Sequence, residues 1–237
     1  MNKTDIEWCD YTWNPVTGCK YGCRYCYAIK NARRFNKGCF EPKAYTRRMY
    51  QPQRVKQAST VFVCSMGELF GDWVPYEWIK AVFEGCSTAP QHRYIFLTKN
   101  PERYIDLYTR GLISQRMNNC WFGTTITEGN QAIWYGAFNN NLVCIEPIHG
   151  PVPSENISVC ADWVIIGAET GNDKDKVIPE RAWIEDIVEP CKRRGVPVFM
   201  KNSLRKLMGS DFLQEFPWEH DSKEADKNFF KRTGTRQ

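Results

Sequence analysis

Short, nearly continuous apolar runs recur along this chain and alternate with longer stretches of helical periodicity. Thr60–Cys64, Tyr94–Thr98, Trp121–Thr125, Leu142–Glu146, Trp163–Gly167 and Val196–Met200 read as strands. Runs of this length and continuity fit parallel strands buried on both faces. Between several of them, Pro75 to about Ser87, Pro101–Leu112 and Glu180–Arg194 repeat apolar residues at helical spacing, the first two opening on proline. A less clear first strand is expected near Ile6–Trp8. Strand–helix alternation with short connections predicts an α/β fold with a parallel sheet. Six or seven such units, undivided by any repeat or linker, fit a complete or partial barrel better than two domains. From about Gly209 the chain turns polar and charged, so the expected division is a barrel over 1–208 and a C-terminal extension over 209–237. Asp221–Gln237 is expected to form a tail or a lid over the barrel mouth.

Polar residues collect just after the expected strands: Ser65 and Glu68, Thr98 and Lys99, Thr124 and Thr125, Glu146, Glu169, Lys201. In a parallel barrel those positions face the C-terminal mouth, where ligands bind. Any single one suits a strand end on structural grounds alone. Their recurrence on successive units is the informative part.

The 237 residues suffice for one sizeable domain with a real core. No run approaches the roughly 18 consecutive apolar residues of a membrane-spanning helix, and the opening residues lack the apolar stretch of a secretory signal. A cytoplasmic protein is expected, without a membrane partner. Eleven cysteines are an odd number for a disulfide framework, so reduced thiols are the simpler assumption and a tight cysteine cluster points to metal or redox chemistry. The net charge of +5 is unevenly placed. Residues 20–56 carry eleven Lys/Arg against Glu41 alone, a local charge of +10. That density suits either a solvated helix face or a landing surface for a polyanion such as nucleic acid, with Lys30, Arg33, Arg34, Arg47 and Arg48 as the candidate phosphate contacts.

The strongest local signal is Gly18-Cys19-Lys20-Tyr21-Gly22-Cys23-Arg24-Tyr25-Cys26-Tyr27. Cys19, Cys23 and Cys26, spaced by three and then two residues, can close around one metal centre from a single loop. Thiolates are soft ligands and select zinc or iron–sulfur. A structural zinc site is normally closed by a fourth ligand, whereas a catalytic metal keeps a position open. No paired histidines, P-loop, dinucleotide fingerprint or nucleophile elbow competes with this motif.

The CxxxCxxC spacing, with the aromatic Tyr25 before the last cysteine, resembles the signature of the radical S-adenosylmethionine (SAM) superfamily. The resemblance narrows to a phage-associated branch of that superfamily through Thr12-Trp13-Asn14-Pro15-Val16-Thr17-Gly18-Cys19. Ser65-Met66-Gly67-Glu68-Leu69-Phe70, Leu97-Thr98-Lys99, Glu146-Pro147 with Gly150-Pro151, Gly167-Ala168-Glu169-Thr170-Gly171 and Phe199-Met200-Lys201 carry it further. It implies a partial (β/α)6 barrel of the TIM type. It also implies a [4Fe–4S] cluster on Cys19, Cys23 and Cys26, with SAM chelating the fourth iron. One electron then cleaves SAM to a 5′-deoxyadenosyl radical that abstracts a substrate hydrogen. By position, Glu68 is the candidate contact for the SAM ammonium, with Tyr25, Ser65, Met66, Gly67, Thr98, Thr124, Thr125 and Glu146 around the cofactor. Cys64 and Cys144 are candidate hydrogen donors to a substrate radical, and an electron donor such as flavodoxin or ferredoxin is implied as a partner.

The substrate expected from the basic window, its interleaved aromatics Tyr21, Tyr27, Phe35, Phe40 and Tyr45, and the resemblance is a nucleobase in DNA or in a nucleotide, to be modified, rearranged or repaired. Two other readings stay open. One is a radical enzyme acting on a peptide or small metabolite, its basic face serving an acidic electron donor. The other is a nucleic-acid-binding module in which Cys9 or Cys39 completes a structural zinc site.

Overall fold

In this computed structural model, residues 1–35, 40–114, 117–133, 140–171 and 174–219 are described. The strands are β1 (Asn2–Lys3), β2 (Tyr11–Trp13), β3 (Val16–Thr17), β4 (Lys43–Ala44), β5 (Thr60–Val63), β6 (Arg93–Thr98), β7 (Cys120–Ile126), β8 (Asn141–Ile145), β9 (Trp163–Ile166) and β10 (Val198–Met200). The helices are α1 (Tyr27–Phe35), α2 (Tyr76–Ser87), α3 (Glu102–Thr109), α4 (Ser154–Cys160), α5 (Arg181–Arg194) and the single turn α6 (Arg205–Met208). Each of the six strands named from the sequence is present, displaced at its ends by no more than a residue or two.

Eight strands form one sheet in the order β1-β2-β5-β6-β7-β8-β9-β10, while β3 and β4 pair separately. All neighbours from β2 to β10 are parallel, and β1 runs antiparallel on the edge. The spatial order never reverses, so right-handed crossovers put the connecting helices on one face. The helices offer that face matching apolar stripes. Ile79, Val82, Phe83 and Cys86 of α2, and Ile184, Ile187, Val188 and Cys191 of α5, are buried at the i, i+3, i+4, i+7 positions of one helix side.

Alternation along each strand divides the core in two. Val61, Val63, Tyr94, Phe96 and Phe122, then Val143, Ile145, Val164, Ile166, Val198 and Met200, pack under the helices. Phe62, Ile95, Leu97, Trp121, Leu142, Cys144, Trp163, Ile165 and Phe199 form a separate inner cluster around Trp8. This inner face has no helix layer to cover it, and it is buried by curvature. The Trp8 ring lies 4.8 Å from Phe62 on β5 and 6.4 Å from Trp163 on β9. Four flat strand spacings would separate those strands by roughly 19 Å, which one indole could not bridge.

One expectation changes. The first parallel strand is β2, Tyr11–Trp13, pairing Tyr11 with Val61 and Trp13 with Val63. The segment Ile6–Trp8 is apolar for another reason, since it fills the concave side. The first part of the expected C-terminal extension packs back onto the sheet. Met200 N–H donates to Leu213 O at 2.7 Å, Glu215 N–H to Val198 O at 3.0 Å and Trp163 Nε1–H to Glu215 O at 3.0 Å. Phe216 and Trp218 lie 5.8 and 5.2 Å from the Trp163 ring. The segment Asp221–Gln237, expected as a tail or lid, lies outside the described residues.

Candidate active site

The C-terminal ends of the parallel strands open into a cavity of about 720 Å³, within the range of small-molecule sites. One loop, residues 18–27, crosses this mouth, and backbone pairing holds its start. Gly18 N–H donates to Met66 O (3.0 Å), Glu68 N–H to Gly18 O (3.1 Å) and Cys19 N–H to Phe40 O (3.0 Å). Asn14 ties the approach to the same segment: its Oδ1 accepts from Met66 N–H at 2.8 Å and its Nδ2 donates to Ser65 Oγ at 3.2 Å. Only glycine fits at position 18. Its φ is +91°, and a Cβ there would lie 2.2 Å from the carbonyl oxygen of Glu41.

Side chains clamp the rest of the loop to the ends of four strands, β5, β6, β8 and β9. Tyr27 Oη donates to Ser65 O beyond β5, at 2.5 Å. Lys99 Nζ, beyond β6, donates to Tyr25 Oη at 2.7 Å, and the Tyr25 ring stands edge-on to His149, beyond β8, at 5.2 Å. Arg24 pairs with Glu169, beyond β9, at 3.0 Å. A loop so held carries Cys19, Cys23 and Cys26 to the cavity wall.

The cavity brings together Cys19, Cys23, Cys26, Tyr25, Cys64, Ser65, Met66, Gly67, Glu68, Thr98, Thr125, Cys144 and Glu146. Thr124 is not among them. It is buried on the opposite face of β7, because adjacent strand residues point opposite ways. Lys30, Arg33, Arg34 and Arg47 lie exposed outside the cavity. Arg48 is half-buried, stacked 3.9 Å over Tyr45 and donating to Asn14 O at 3.2 Å. Cys9 packs against the inner apolar cluster and does not line the cavity, and Cys39 lies outside the described residues.

Among the described residues, no three His, Cys, Asp or Glu side chains converge as they stand into a metal-binding group. The donor set nevertheless fits a soft centre. Three thiols share one cavity, and Tyr21 N–H reaches Cys19 Sγ at 3.4 Å, a bond that favours thiolate. Burial pushes the Cys19 thiol up to about 11, and negative charge on Glu68, Cys23 and Cys26 adds to the rise. A cationic centre would relieve that repulsion.

Glu68 is buried, and burial raises its carboxyl above the ordinary range against the pull of three donors. Those donors are Phe70 N–H (3.0 Å), Thr98 Oγ1–H (2.8 Å) and Lys99 N–H (3.1 Å). Cys64 is the lone non-glycine residue of positive φ among those described, at 57°, a strain on the order of 1–2 kcal/mol. Burial pushes its thiol up to about 12, and burial also raises Cys144. Both therefore keep their S–H at neutral pH.

The sequence matches the family described as "protein of unknown function (DUF5131)" over residues 3–215. The chain belongs to that family. No curated protein matches this DUF5131 chain. Among solved structures, a point mutant of spore photoproduct lyase superposes with a TM-score of 0.56 at 11% identity, covering 84% of this chain and 78% of the lyase. The lyase complexed with dinucleoside spore photoproduct gives 0.53 at 11% identity, with 91% and 78% covered. At such identities the likeness is one of fold. What the DUF5131 chain shares with the lyase is a mixed α/β fold built on a mostly parallel sheet. Among its described residues no helix is long and apolar enough to cross a membrane.

Several residues of this DUF5131 site went unassigned in the sequence. Lys201 pairs with Glu146, and Glu169 gathers Arg24 and His149. Glu7 lines the cavity and accepts from Asn202 N–H at 3.0 Å. Asn14 was visible only as part of a motif. His149 carried no spacing signal, since its partner is twenty residues away.

Proposed function

We propose that this chain is a radical SAM enzyme acting on a nucleobase, in DNA or in a nucleotide, with its curved sheet forming a partial (β/α)6 barrel. The reading rests on one observation above the others. The three cysteines share a cavity with residues from the ends of successive parallel strands, and backbone hydrogen bonds stitch their loop to Met66-Gly67-Glu68. Cys19, Cys23 and Cys26 would hold a [4Fe–4S] cluster, and SAM would lie against Ser65–Glu68, Thr98, Thr125 and Glu146. Bound together, cluster and SAM supply a hydrogen-abstracting radical after one-electron reduction. The chain's own part is to bind, orient and exclude water. Tyr25 and Lys99 fix the loop, the apolar inner cluster closes the cavity floor, and the protonated thiols of Cys64 and Cys144 stand ready as hydrogen donors. The structural neighbour complexed with a dinucleoside supports a base as substrate. The exposed cations of α1 and Thr46–Arg48 would hold phosphates or dock a reduced flavodoxin or ferredoxin.

The test is anaerobic reconstitution, with iron and sulfide content and 5′-deoxyadenosine release from SAM under dithionite as readouts. Wild type is expected to hold about four irons and release deoxyadenosine, and Cys19→Ala, Cys23→Ala and Cys26→Ala each to lose both. Zinc without iron, or full iron content in any of the three variants, would refute the assignment.

A further inference from the structure

Glu169 carries an acceptor that the described structure does not use. Its side chain is 2% exposed, and its Oε2 takes two donors, Arg24 Nη2 at 3.0 Å and the His149 ring at 3.1 Å. Its Oε1 is buried and meets no donor among the described residues. The two donors come from different segments and pin the carboxylate of a residue that lines the cavity, with Oε1 buried beside it. Leaving such an oxygen unsatisfied is costly, and an N–H from a ligand would recover that cost.

The surrounding charges say what kind of ligand carries that N–H. Asp5, Glu7, Glu68 and Glu146 also line this cavity, and its lysines are engaged, Lys99 with Tyr25 and Lys201 with Glu146. A phosphate is unwelcome inside. Next to it lies a second cavity of about 640 Å³ that shares Asn14, Phe40 and Met66 with the first and is lined by Lys43 and Arg48. A nucleotide bound across the two would place its base in the acidic cavity and its phosphate toward Lys43 and Arg48.

We propose that Glu169 recognises the substrate base by accepting a hydrogen bond from its exocyclic amino group, selecting amino-bearing bases over thymine. Thymine offers one ring N–H flanked by two carbonyls, and both would face the carboxylate. The inference rests on the nucleobase reading above.

The test is equilibrium binding of the reconstituted full chain to single-stranded five-mers d(TTXTT) at fixed salt, X being adenine, cytosine, guanine, thymine or unsubstituted purine. Wild type should bind the adenine oligonucleotide at least about tenfold more tightly than the purine one, which differs only by the amino group. In Glu169→Gln the amide oxygen must turn toward Arg24 and His149, leaving its NH₂ toward the cavity. The preference should then vanish or reverse toward thymine. Equal wild-type affinity for adenine and purine would overturn the role of Glu169, and that comparison needs no variant. Retained discrimination in Glu169→Gln would overturn it as well. Failure of wild type to bind any of the five-mers would overturn the nucleobase reading itself.

Discussion

The Lys201–Glu146 pair shows how the mouth tolerates buried charge. Burial alone would lower the Lys201 ammonium, but Glu146, in contact with it, outweighs burial and the net direction is upward. A cation whose folded value exceeds its unfolded one contributes stability that is fully present below about pH 10.5 and is lost as pH rises through the folded value. Glu146→Gln should therefore cost about 1–3 kcal/mol near neutrality. The difference from wild type should hold up to about pH 10 and shrink above it. Urea unfolding of both proteins from pH 7 to 11 measures this, and a difference that grew with pH would contradict the pairing. The lysine and the glutamate are fifty-five residues apart, so no local pattern couples them. Each was legible as a polar residue after a strand and as part of a short motif, but not as half of a pair. Cys19, Cys23 and Cys26 were legible as a set, because one loop brings them together and their spacing is itself the geometry.

Among the elements, α2 was readable almost to the residue, with Pro75 before its first turn and apolar residues at helical spacing. Its glycine was not. Propensity alone says that Gly85→Ala should stabilise a helix by about 1 kcal/mol. Here a Cβ at Gly85 would sit 2.4 Å from the Met49 carbonyl oxygen and 2.9 Å from the Trp13 ring. Overpacking of that kind costs about 1–3 kcal/mol, so steric conflict wins and Gly85→Ala is expected to lower stability. A raised urea midpoint would show that the segment before β5 can yield. The first strand was misplaced for a related reason. Ile6 and Trp8 carry the apolar signal of a strand because they fill a concave surface, and hydrophobicity does not distinguish a strand from a plug. Tyr11–Trp13, with Thr12 between its aromatics, joins the sheet instead.

At the scale of the molecule, charge is separated by location. The cavity wall is acidic, while Lys30, Arg33 and Arg34 lie on α1, Arg47 and Arg48 on Thr46–Arg48, and Lys43 and Arg48 beside the second cavity. Part of that charge serves the fold, since Arg33 and Arg34 occupy the last turn of α1, where they complement its dipole. The same cations are exposed, which gives the proposed nucleic-acid reading a further measurable consequence. Replacing Lys30, Arg33 and Arg34 together by Ala should weaken binding to single-stranded DNA of every sequence alike. The slope of log K against log salt should fall by about 0.7 for each phosphate that the variant no longer neutralises. An unchanged slope would assign those cations to the fold or to an electron donor.

The sequence by itself determined what depends on neighbours along the chain. Apolar runs set the strands from β5 to β10, helical periodicity set α2, α3 and α5, and the spacing of three cysteines put three thiols on one glycine-flanked loop. Tertiary structure decided what depends on closure. It curled the sheet around Trp8, drew Phe216 and Trp218 into the inner face, turned Thr124 away from the cavity while leaving Thr125 in it, and set Glu169 between Arg24 and His149. The physical reason is that hydrogen-bonded strands and helices are specified over a few residues. Which face of a strand meets a cavity, and which carboxylate keeps an oxygen free, are settled only when segments more than a hundred residues apart pack together.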